Sequence, residues 1–110
     1  MTPTELMWHF DSIIGKARAI MLAKNHDYRG GSGDPFANFK GSTALGISPI
    51  LGILLRMQDK MMRIKTFSEK GELLVQDEGV ENAIIDIIDY AVLVSAMIED
   101  TKEIAPEEKA

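Results

Sequence analysis

The stretch DEGVENAIIDIIDYAVLVSAMIED, residues 77–100, constrains this chain more than any other. It reads as one long helix. Asp77 and Glu78 suit a helix start, where exposed N–H groups and the dipole favour anions. Apolar residues then fall on nearly every side, from Val80 through Ile84, Ile85, Ile87 and Ile88 to Leu93, Met97 and Ile98. A helix apolar almost all round is buried on several sides. Glu78, Asn82, Asp86 and Asp89 break the pattern, and steps of four, four and three put them on one face. Carboxylates in apolar surroundings are costly unless they are paired or hold a metal. That acidic stripe is the functional question.

At 110 residues the chain is expected to form a single domain, residues 1–100, with an acidic tail over 101–110 that frays. Its net charge of −5 argues against a nucleic-acid polymer as partner, since phosphate backbones select basic faces. With no cysteine, disulfides and thiolate metal sites are excluded. The apolar run Ile47–Leu55 is too short to span a bilayer and contains Pro49 and Gly52. No secretory leader pattern opens the sequence, so the expectation is a cytoplasmic protein with no membrane partner.

Two further helices announce themselves. Thr2-Pro3-Thr4-Glu5 joins a Thr cap, Pro at the first helical position and Glu three residues after the cap. Leu6, Phe10, Ile13, Ala17, Ile20 and Met21 follow as a core-facing stripe to about Lys24. Ser48-Pro49 starts another helix, closed by Gly71 after Lys70. Its apolar side is Ile50, Leu54, Met57, Met61 and Ile64; Gly52, Arg56, Asp59, Lys60 and Arg63 form a charged side. Between them, Lys24 to Ser42 reads as a long Gly-rich loop whose Tyr28, Phe36 and Phe39 fold it back onto the protein. A short helical turn is expected near Pro35–Leu45.

A short connection makes the last two helices an antiparallel hairpin, with facing positions summing to roughly 147 at equal rise. Arg56 then falls near Ala91, Lys60 near Ile87, Arg63 near Ile84 and Asp59 near Asp89. Acids and bases meet in one cluster. An interhelical salt-bridge network would account for it. So would a Mg²⁺–phosphate site, with Asp59, Glu78, Asp86 and Asp89 as metal ligands and Arg56, Lys60 and Arg63 on phosphate. In the loop, Lys24 and Asp27 serve either as cap chemistry or as nucleotide contacts. Tyr28, Phe36 or Phe39 would then stack on a base, with Asn38 on its edge. His9 and His26 do not have zinc-site spacing, Arg29-Gly-Gly-Ser-Gly matches no P-loop, and the seven methionines are mostly core filler.

Four segments in order, Lys24-Asn-His-Asp27-Tyr28, Pro35-Phe36-Ala-Asn38-Phe39, Arg56-Met-Gln-Asp59-Lys60-Met-Met-Arg63-Ile64 and Asp77-Glu78 through Asp86-Ile-Ile-Asp89-Tyr90, resemble the nucleotide-modification-associated domain family. The resemblance runs from Lys24 to Ile98 and implies a small helical, phage-type nucleotide-handling protein, in the host cytoplasm if phage-encoded. More distantly, the acidic helix is similar to the MazG-like all-α nucleoside-triphosphate pyrophosphatases. That resemblance implies Mg²⁺ and cleavage to monophosphate and pyrophosphate. The chain departs from their E-x-x-E pattern: the middle helix carries R-x-x-D-K-x-x-R, and only Glu78 and Glu81 have that spacing.

The expected fold is therefore an all-α, small antiparallel bundle of three main helices. An apolar surface too large for two partner helices to cover makes it a homo-oligomer, with the last helix at or near the interface. The expected function is binding of a (deoxy)nucleotide phosphate, extending to Mg²⁺-dependent hydrolysis with Asp86 and Glu81 as catalytic residues, Glu81 the base. The alternatives are a non-catalytic protein that sequesters a nucleotide and a structural oligomeric helper.

Overall fold

The computed structural model describes residues 1–28, 33–71 and 79–104, with 26–28 and 102–104 described at the backbone alone. The described chain is all-helical. Helix α1 spans Pro3–Tyr28, α2 Ala37–Lys40, a 3-10 turn Gly41–Leu45, α3 Pro49–Lys70 and α4 Val80–Ile104. No described helix is long and apolar enough to cross a membrane.

Local chemistry sets the ends of these elements. The Glu5 N–H donates to Thr2 Oγ1 at 3.1 Å and the Thr2 N–H to Glu5 Oε1 at 3.3 Å, a reciprocal capping box. Ser48 Oγ accepts from the Leu51 N–H at 3.1 Å, with Pro49 at the first helical position. Gly71 closes α3 at φ 75°, where its N–H reaches the Phe67 carbonyl at 2.7 Å. A side chain there would meet the left-handed penalty, which is why glycine ends the helix.

Three boundaries differ from expectation. Helix α4 begins at Val80, with Gly79 before it outside the helix; Asp77 and Glu78, the expected start, lie outside the described residues. Helix α1 continues past Lys24 to Tyr28, because nothing before Gly30 interrupts it. Helix α4 continues past Thr101 to Ile104; residues 105–110 lie outside the described residues. The expected loop is consequently shorter, and its second half is the helical turn over 37–45.

Lys60 meets Asp86, while Ile53 shares a core with Leu93 and Met97, so α4 climbs as α3 descends: the pair is antiparallel. Helix α1 lies against α4 and touches the 37–40 turn. Phe36 and Phe39 from the connection, Ile53 from α3 and Leu93 and Met97 from α4 form the buried core. Met21, Ile50, Met57, Tyr90 and Val94 pack around it. The connection is tied down by local bonds: Asn25 Nδ2 donates to the Pro35 carbonyl at 3.3 Å, and the Phe36 N–H to Asp34 Oδ1 at 2.9 Å. Lys40 bonds Asp34 and holds its carboxyl below the ordinary value. Gly52 admits Ser42, whose Oγ lies 3.4 Å from where a Cβ would stand.

Several expected core residues are outside. Leu6 and Phe10 of the α1 stripe are 55% and 52% exposed, whereas Ala17 is buried. On α3, Leu54 and Met61 are exposed and the fully buried side chain is Ile53. A periodic stripe identifies a face; what covers that face is decided by the other elements.

Candidate functional site

A cleft of about 330 Å³ opens where α1, α3 and the N-terminal end of α4 meet. Lys24 enters from α1, Lys60 and Arg63 from α3, and Asn82 and Asp86 from α4. Lysine and arginine at positions 60 and 63 lie on one face because three residues return a helix nearly to the same side. Asp86 is half-buried between two ammonium groups: Lys60 Nζ lies 3.0 Å from Oδ2, and Lys24 Nζ lies 3.3 Å from Oδ1. Each carboxylate oxygen thus orients one lysine. Gly79, Asn82 and Ala83 also line the cleft, so the positive end of the α4 dipole opens on it.

One turn further along α4, Asp89 is only 9% exposed. Its Oδ2 has no hydrogen-bond partner among the described residues. Desolvation raises its pKa from 3.8 to about 6; the nearby Lys24 charge pulls it down and Asp86 pushes it up. Asp89 borders a void of about 10 Å³ that shares Lys24 and Asp86 with the cleft, but Asp89 does not line the cleft itself.

The expected site divides accordingly. Lys24, Lys60, Arg63 and Asp86 come together. The hairpin register was expected to put Lys60 near Ile87, and the observed partner is the adjacent Asp86. Arg56 does not join them: it is exposed, and its guanidinium carbon sits 5.0 Å from the centre of the Phe39 ring. Phe36 and Phe39, 7% and 3% exposed, are core side chains. Asn38 is exposed on α2. Glu81, expected as a base, is exposed, does not line the cleft and pairs with Lys16 at 3.1 Å. Asp59 is likewise exposed and away from the lining. Glu78 and the side chains of Asp27 and Tyr28 lie outside the described residues.

Asn82 was visible in the sequence as a member of the acidic stripe, and the geometry adds it to the cleft. Among the described residues, no three His, Asp or Glu side chains gather as a metal-ligand set. The cleft's one described carboxylate is already shared by two lysines, so those residues by themselves do not make a cage for a hard cation. Chemically, the arrangement offers three cations and an amide to an anion of phosphate size.

No curated protein and no solved structure gives a significant match to the chain. Residues 24–99, which hold the cleft lysines, arginine and aspartate, match a family described as nucleotide modification associated domain 1, and the chain belongs to that family.

Proposed function

We propose that this chain binds the phosphate end of a (deoxy)nucleotide in the cleft between α1, α3 and α4. One observation carries the reading: Lys24, Lys60 and Arg63 converge on one cleft in a chain whose net charge is −5. Guanidinium and ammonium groups at a helix N-terminus recognise phosphate by charge-assisted hydrogen bonds. Asp86 holds the two lysines in place before the ligand arrives, and the phosphate oxygens then take over that role. Asn82 supplies a donor beside them. Mg²⁺ would enter with the nucleotide's own phosphates, and Asp86 is the described carboxylate that would face it. Metal-activated hydrolysis asks for more carboxylates than the described cleft supplies, so binding, as in a sequestering protein, is the function we assign.

Calorimetric titration of ribo- and deoxyribonucleoside triphosphates and cyclic dinucleotides, with Mg²⁺ and with chelator, tests this. At least one nucleotide should bind, and Lys60→Ala and Arg63→Ala should each weaken it about tenfold or more. Asp86→Asn, which unmasks two cations, should keep or strengthen binding in chelator. Unchanged affinity in both cation variants, or binding by no nucleotide, sinks the proposal. Ion-exchange analysis of the same samples reads turnover: monophosphate plus pyrophosphate would replace sequestration with pyrophosphohydrolysis.

A further inference from the structure

Helix α1 has a face that its own chain does not cover. Met7, Trp8 and Phe10 are 55%, 67% and 52% exposed, and Ile14 and Leu22 continue the apolar surface at 38% and 59%. Leu22 leads into an apolar groove of about 370 Å³ between α1 and α4, with Ile14, Met21 and Val92 among its walls. The whole chain exposes 7878 Å², whereas a compact monomer of 12.2 kDa exposes roughly 6,100 Å². The exposed apolar side chains of α1 contribute to that excess, and one face of a standard interface is about 800 Å².

We propose that a second copy of this chain covers that face, with the two α1 helices packed antiparallel about a two-fold axis near Ile14 and Gly15. The pattern of α1 is self-complementary about that point. Met7, Asp11, Ile14, Arg18 and Leu22 follow one another at steps of three and four along one stripe. Reversal about Ile14–Gly15 sets Met7 opposite Leu22 of the partner subunit and Asp11 opposite Arg18 of the partner subunit. Among the described residues, neither Asp11 nor Arg18 forms an ion pair within its own chain. Gly15, costly by about 1 kcal/mol inside a helix, has open space where a Cβ would stand. At the crossing point it lets two backbones approach. An isologous contact of this kind closes at two copies. The net charge of −5 disfavours an anionic membrane surface as the alternative cover.

The test is a charge swap read by sedimentation equilibrium and light scattering on the full chain. The wild type should be a dimer at micromolar concentration. Asp11→Arg and Arg18→Asp should each raise the dimer dissociation constant about tenfold or more, through like charges facing each other. The double variant should restore it. Both positions are exposed, so folding is checked by circular dichroism and is expected to be unchanged. A monomeric wild type, an assembly indifferent to the single variants, or a double variant no tighter than the singles each overturns the proposal. It stands independently of what the cleft binds.

Discussion

Replacing Asp89 by Asn should change how stability responds to pH more than it changes stability itself. Asp89 is buried with an unpartnered oxygen, and its pKa lies at about 6 in the folded protein against an ordinary value of 3.8. Between those values the folded chain holds a proton that the unfolded chain has released. By linkage, stability falls as pH rises through the window and is lowest above it. The gap is about two pH units, and at 1.36 kcal/mol each it sets a ceiling of roughly 3 kcal/mol. For a chain of this length that is on the order of 10 °C in melting temperature. An amide does not titrate, so this contribution is absent from Asp89→Asn while every other titration is kept. Thermal melts of both proteins from pH 4 to pH 8 isolate it. The variant should gain on the wild type as pH rises, with most of the gain between pH 4.5 and 7. A difference that stays within roughly 2 °C across the range refutes the burial argument, whatever the constant offset between the two proteins.

Three other outcomes follow from the geometry. Arg56→Ala should cost about 0.5–1 kcal/mol by chemical denaturation, the loss of one cation–π contact, and leave nucleotide affinity unchanged. Glu81→Gln breaks an exposed pair with Lys16 and should shift stability by less than about 1 kcal/mol, with no effect in the nucleotide titration. Gly71→Ala puts a side chain at φ 75° and should lower unfolding free energy by about 1 kcal/mol in urea titration, again without touching the cleft.

Two helix starts and one stop were legible because they depend on neighbours in sequence. Thr2 with Glu5, Ser48 with Pro49, and Gly71 after Lys70 each carry their own hydrogen-bond partner or conformational demand. The α3–α4 register was legible for a related reason: two helices of equal rise joined by a short connection have little freedom, and Lys60 came within one residue of its expected position. Phe36 and Phe39 were harder. An aromatic in a Gly-rich segment stacks on a ligand or fills a core according to what stands opposite, here Ile53, Leu93 and Met97 from helices distant in sequence. Arg56 followed Phe39, so its place was hidden for the same reason. Lys24 reached the cleft because α1 stays helical beyond it, and Leu6 was misjudged because a stripe does not say where its neighbour helix ends.

The division of contacts also implies an order of assembly. Helices α3 and α4 are joined by a short connection and share the core, so they can zip together from contacts close in sequence. Helix α1 reaches them across a long span, as in the Lys24–Asp86 pair, and its N-terminal third is exposed. Its docking is therefore expected to be the late step in folding and the cheapest part to undo. Because Lys24 travels with it, the anion cleft exists only after that step, and a bound phosphate would hold α1 in place by mass action. In native-state hydrogen exchange of the monomer, below the dimer dissociation constant, amides of α1 up to Lys24 should exchange faster than those of α4 from Ala83 to Met97, and ligand should slow the first set more. Equal protection of both helices in the free protein would show that the chain opens as one unit.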